Sequence, residues 1–105
     1  MDNTQFLLVK LAEEAQEVAQ RALKAAQFGM SEVQKGQPLS NAERLSGEIN
    51  DLLAAIRMLN SEAGFGFQGD ENQVFRKIAK VKRFRAYSAD LGLVDLKEIT
   101  PAEVV

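Results

Sequence analysis

Glu13-Glu14-Ala15-Gln16-Glu17 and Glu48-Ile49-Asn50-Asp51 are the segments of this chain equipped for chemistry. At about 100° per residue, acids three positions apart lie about 60° apart on a helix. Glu14 with Glu17, and Glu48 with Asp51, would therefore each share a helical face. Two such helices side by side would aim four carboxylates at one point. The chemistry that suits such a point is binding of a divalent cation through oxygen, with Mg²⁺ or Mn²⁺ the natural occupants.

Acidic residues ordinarily sit opposite a helix's apolar stripe, on its solvated side. Here they do not. Measured from Leu11 in the stripe Leu7, Leu8, Leu11, Ala15, Val18, Ala22, Glu14 lies at about −60° and Glu17 at about −120°. Measured from Leu45 in the stripe Leu45, Ile49, Leu52, Ile56, Leu59, Glu48 and Asp51 take the same two angles, about −60° and −120°. Both pairs lie on the rim of a face that must be covered, where a carboxylate needs a cation or a proton to offset lost hydration. The plainer alternative is two glutamate-rich helices whose acids face water.

The elements that must position these acids read as helices throughout. Asp2, Asn3 or Thr4 serves as N-cap of a first helix reaching about residue 28, where Gly29 stops it. Residues 29–40 mix turn formers with a few apolar side chains and read as a loop with at most a helical turn. Ser40 and Glu43 have capping-box spacing, and a second helix follows over residues 41–62. Gly64-Phe65-Gly66-Phe67-Gln68-Gly69 ends it; Phe65 and Phe67 either pin this loop to the core or line a ligand pocket. A third helix runs from residue 70 or 71 to about 88, and Thr100-Pro101-Ala102-Glu103 suits the start of a short C-terminal helix. With no period-two pattern, the expected fold is all-α: three main helices plus that short one, in a single domain over residues 1–105.

Composition removes several function classes. The 105 residues include no cysteine and no histidine, which excludes disulfides, thiolate metal sites and imidazole-based zinc or di-iron centres. A net charge of −2 argues against a nucleic-acid binder held by net charge. No stretch has the length and apolarity of a membrane span, and the N-terminus is polar, then broken by Lys10, Glu13 and Glu14. A cytoplasmic protein with neither nucleic-acid nor membrane partners is expected.

The third helix is basic. Arg76, Lys80 and Arg83 fall within about 60° of one another, a stripe able to hold phosphate oxygens. A solvated face opposite Val74, Ile78 and Val81 explains the same stripe without a ligand. Acids that hold a cation, joined to basic side chains, are the usual equipment for a polyphosphate.

The double motif Glu13-Glu14-x-x-Glu17 and Glu48-x-x-Asp51, set in Leu11-Ala12-Glu13-Glu14-Ala15-Gln16-Glu17-Val18-Ala19 and Asn41-x-x-Arg44-Leu45-x-x-Glu48-Ile49-x-Asp51-Leu52-Leu53, resembles the signature of the MazG-like all-α nucleoside triphosphate pyrophosphohydrolases. That group also takes in the all-α dUTPases and the phosphoribosyl-ATP pyrophosphohydrolases, and the resemblance covers roughly residues 6–92. It implies hydrolysis of a nucleoside triphosphate to a monophosphate and pyrophosphate. It further implies that Glu14, Glu17, Glu48 and Asp51 hold Mg²⁺ (or Mn²⁺), that Glu13 orients or deprotonates the attacking water, and that Lys80 and Arg83, with Arg76, contact the phosphates. Phe6, Phe28, Phe65 and Phe67 are candidate walls for the base.

Two other functions compete with general nucleotide hydrolysis. One is a non-catalytic helical module whose acids and basic third helix pair between subunits; the other is phosphoribosyl-ATP hydrolysis, which the Gly-Phe-Gly-Phe loop does nothing to support. A homodimer or homotetramer is expected, with four-helix cores completed by association. The alanine face Ala19, Ala22, Ala26 is one that three helices cover poorly, and members of the resembled group associate in this way.

Overall fold

A computed structural model describes residues 1–96 of the chain, and in them the fold is all-α. Three helices follow one another: α1 (Asn3–Phe28), α2 (Asn41–Ala63) and α3 (Glu71–Asp90). No strand occurs among the described residues. The short helix expected near Thr100 lies outside them.

Each helix begins where a side chain can satisfy its free N–H groups. Asp2 accepts from the Gln5 backbone N–H at 2.8 Å while Gln5 returns a bond to the Asp2 N–H at 2.9 Å. Ser40 and Glu43 form the same reciprocal box ahead of α2, and Asp70 caps α3. Such caps are worth about 1 kcal/mol each. α2 ends at Gly64, whose φ of 64° is the left-handed conformation that glycine adopts without strain.

The chain falls into two compact units, Met1–Phe67 and Gln68–Val105. The first is an antiparallel hairpin of α1 against α2. Its register is marked at three levels: Asn3 donates to Glu62 at 3.2 Å, Glu17 and Glu48 approach each other midway, and Asn41 donates to the Gly29 carbonyl at 2.8 Å. Leu7, Ala25, Ala55 and Leu59 form its covered apolar seam, with Leu7 and Leu59 fully enclosed.

The loop over residues 29–40 is tied down by hydrogen bonds more than by apolar burial. Asn41, buried although polar, also donates to the Glu32 carboxylate at 3.1 Å, and its backbone N–H donates to the Glu32 carbonyl at 2.9 Å. Ala42 N–H reaches the Met30 carbonyl, and Arg44 donates to Gln34. The loop therefore holds the two helices in one register.

After α2, Asn60 brackets Phe67, donating to its carbonyl at 3.1 Å and accepting from its N–H at 2.9 Å. Phe65 and Phe67 stack on each other, ring centres 6.3 Å apart, and each remains about half exposed at 51% and 50%. The turn is thus pinned by an amide, not by phenylalanines in the core. In the second unit α3 buries none of its residues.

Candidate metal centre and adjoining groove

Because Glu14 and Glu17 share the flank of α1 that Glu48 shares on α2, the antiparallel register brings them together. One carboxylate oxygen from each of Glu14, Glu17 and Glu48 lies within 4.8 Å of the other two. For Mg–O bonds of about 2.1 Å, octahedral ligand oxygens lie about 2.9 Å apart in cis and about 4.2 Å in trans. Rotamer adjustments of under about an ångström would close these acids on an ion.

The surroundings of the cluster favour a cation. Glu14 and Glu48 are half-buried, and the Oε2 atom of each is shut off from solvent with no hydrogen-bond partner. Burial first, then the charges of Glu17 and Asp51 and a proton-sharing contact with Glu17, hold the Glu14 carboxyl above its ordinary value, against a small opposing pull from Lys10. Glu48 is raised too, first by its proton-sharing contact with Glu17, then by burial and by the charges of Glu17, Asp51 and Glu14. A divalent cation relieves the same repulsion that a proton does. The donor set, all carboxylate oxygen, fits Mg²⁺ or Mn²⁺.

Asp51 stands next to this trio, near enough to raise both Glu14 and Glu48, and faces a groove with Glu14. Glu13 does not join the trio: its carboxylate pairs with Lys10 at 3.0 Å on the exposed surface of α1. Arg76, Lys80 and Arg83 belong to α3 in the second unit, where all are exposed and Lys80 lies 5.9 Å above the Phe84 ring.

Beyond the acids, toward the start of α1, lies a groove of about 310 Å³ lined by Phe6, Lys10, Glu14, Asp51, Ala54 and Met58, with Leu7 and Ala55 as its floor. Of these walls, sequence reasoning singled out Phe6 alone beside the acids. Ala54, Ala55 and Met58 were legible as the same flank continued, at steps of three, four and seven residues from Asp51. Lys10, 5.7 Å over the Phe6 ring, is the cation that the hairpin itself brings to this groove, and Glu13 first, through a hydrogen bond and its charge, raises its pKa. Phe28 lines a second groove of about 290 Å³ at the other end of the hairpin, with Lys24, Glu32, Gln34 and Asn41. Neither groove includes Phe65 or Phe67.

No family model matches the chain, and neither a curated protein nor a solved structure is significantly similar to it. Among the described residues, no helix is long and apolar enough to cross a membrane.

Proposed function

We propose that this chain is a Mg²⁺-dependent nucleoside triphosphate pyrophosphohydrolase, releasing a nucleoside monophosphate and pyrophosphate and serving to clean the cytoplasmic nucleotide pool. One observation carries the reading: three acidic oxygens converge within 4.8 Å, and the site includes two solvent-shielded carboxylate oxygens with no partner. Glu14, Glu17, Glu48 and Asp51 are the residues to hold the ion. When bound, Mg²⁺ supplies charge neutralisation to the phosphates and the leaving pyrophosphate.

The chain's own residues divide the remaining work. Glu13, on the outer flank of α1 and paired with Lys10, is the residue we assign to orient or deprotonate the water that adds to the α-phosphorus as the α–β anhydride bond breaks. The apolar groove walls Phe6, Ala54 and Met58 suit a nucleobase, and its volume falls at the small end of ligand sites. Lys10 is the hairpin's own cation for the phosphate chain, and it stands over the Phe6 ring at 5.7 Å. A homodimer or homotetramer is the working form.

The test is a panel of ribo- and deoxyribonucleoside triphosphates, with Mg²⁺ and with chelator, scored for both products. Monophosphate and pyrophosphate in equal amounts, dependent on Mg²⁺, are expected. Turnover unaffected by chelation, or diphosphate and phosphate as products, refutes the assignment.

A further inference from the structure

The acidic flank of α1 repeats itself on either side of Glu17. Lys10 and Lys24 stand seven residues before and after it, and Phe6 and Phe28 eleven residues before and after. At about 100° per residue these five side chains fall within one sector of about 40°. Each lysine lies over the nearer ring, Lys10 at 5.7 Å from the Phe6 centre and Lys24 at 5.8 Å from that of Phe28.

Each lysine–phenylalanine pair also borders a groove. The first, of about 310 Å³, opens beside Phe6 and Lys10, and the second, of about 290 Å³, beside Lys24 and Phe28. α2 follows the same plan in reverse. Asn41, Glu48 and Ala55 succeed one another at steps of seven residues, within about 40° of one another. The first lines the second groove, the next joins the acids, and the last lines the first groove. The carboxylates therefore lie between two grooves on one side of the hairpin.

The second groove carries polar groups without partners. Asn41 is 3% exposed, and its amide nitrogen donates to the Gly29 carbonyl and the Glu32 carboxylate. Both are acceptors, so the nitrogen must face them, and Oδ1 is left with no donor among the described residues. A carbonyl on so buried a side chain gains from any N–H brought to it. Arg21 and Lys24 lie about one and about two turns beyond Glu17 on the same flank, with no ion pair among the described residues. Hydrolysis of a mononucleotide at the acids needs none of these groups.

We propose, on the reading that the acids are a nucleotide-hydrolysing metal centre, that a further substrate is a dinucleoside polyphosphate, two nucleosides joined 5′ to 5′ by a phosphate chain. One nucleoside occupies the first groove with its base against Phe6 and Met58. The chain crosses the acids and continues along Arg21 to Lys24, and the second nucleoside lies in the second groove with its base against Phe28. Lys10 and Lys24 are about 21 Å apart along α1, a separation that suits a dinucleoside tetraphosphate and that a mononucleotide falls short of. Aromatic rings accept any base by stacking, and two modest sites joined by one molecule hold it more tightly than either holds half of it.

The direction of cleavage follows from the placement of the acids. Glu14 and Asp51 line the first groove, and none of the acids lines the second except Glu32 of the loop. Water therefore adds to the α-phosphorus of the nucleoside in the first groove and gives its proton to Glu13. The anhydride oxygen leaves with the rest of the chain, so that a tetraphosphate and one water yield one nucleoside monophosphate and one nucleoside triphosphate.

Diadenosine and diguanosine tetraphosphates, compared with ATP and GTP in Mg²⁺, are the probes. At least one dinucleoside should exceed its triphosphate about tenfold or more in kcat/KM, with monophosphate and triphosphate as the initial products. Lys24→Ala, at an exposed position, should raise KM for the dinucleoside about tenfold and leave that for the triphosphate unchanged. Calorimetric titration with Ca²⁺ in place of Mg²⁺ should give one dinucleoside per chain, bound more tightly than the triphosphate, an advantage that Lys24→Ala erases. Triphosphates turned over as efficiently as both dinucleosides, or Lys24→Ala that affects the two kinds of substrate alike, overturns the proposal and leaves the triphosphate hydrolase standing. Absence of turnover of all four compounds overturns the hydrolase itself, and this substrate with it.

Discussion

Replacing Glu48 by glutamine tests the metal centre without an activity assay, because the site's two states have opposite effects on stability. Without metal, Glu48 holds its proton more tightly folded than unfolded. Its contribution is then fully present below the ordinary carboxylate pKa and is lost as pH rises through the raised folded value. Glu14 has the same sign. From these two carboxyls the metal-free wild type should lose stability as pH rises above the ordinary carboxylate range, and Glu48→Gln should melt above it at pH 7.5 and match it near pH 4.

Mg²⁺ reverses the order. At a hundred times its dissociation constant, an ion that binds only the folded form adds about 2.7 kcal/mol, a rise of roughly 10–20 °C in Tm for a domain of this size. Glu48 supplies one of three converging oxygens and one of the two shielded ones. Losing its charge should weaken binding at least about 100-fold, beyond the usual effect of altering a ligand's supporting partner. At the same Mg²⁺ concentration the variant then gains about 0.4 kcal/mol, or a few degrees. Scanning fluorimetry over a grid of pH and Mg²⁺ reads both effects. An equal Mg²⁺ shift in the two proteins, or a metal-free variant less stable than wild type at pH 7.5, would refute the reasoning.

Glu13→Gln should keep the full Mg²⁺ shift, since Glu13 pairs with Lys10 and stands apart from the trio, yet slow single-turnover hydrolysis by about 100-fold or more; Glu14→Gln should lose the shift. Ala54→Phe, by filling the groove that Phe6 and Met58 wall, should raise KM for the triphosphate more than about tenfold and leave the metal-induced Tm rise in place. Asn41→Ala should lower the urea-unfolding free energy by about 1–3 kcal/mol, because the Gly29 carbonyl and the Glu32 carboxylate lose their donor. Ser40→Ala should cost about 1 kcal/mol in the same measurement through loss of its cap.

The helices and their ends were legible in the amino-acid order because their causes are local. Asp2 with Gln5, Ser40 with Glu43, and Asp70 each act within a single turn. Apolar periodicity likewise needs only neighbouring residues, and it assigns Glu14, Glu17, Glu48 and Asp51 to the rims of the covered faces. What the order of residues did not determine was which groups meet. Whether Glu17 reaches Glu48 depends on how far α2 slides along α1. Bonds from Asn41 to Gly29 and Glu32 set that register, and an asparagine just after a cap ordinarily looks solvent-facing. The same holds for Glu13, drawn to Lys10, for the groove, whose walls come from both helices, and for Phe65 and Phe67, which stack on each other while Asn60 holds their loop. Periodicity assigns a side chain to a direction around its own axis; only packing one axis against another turns a direction into a distance.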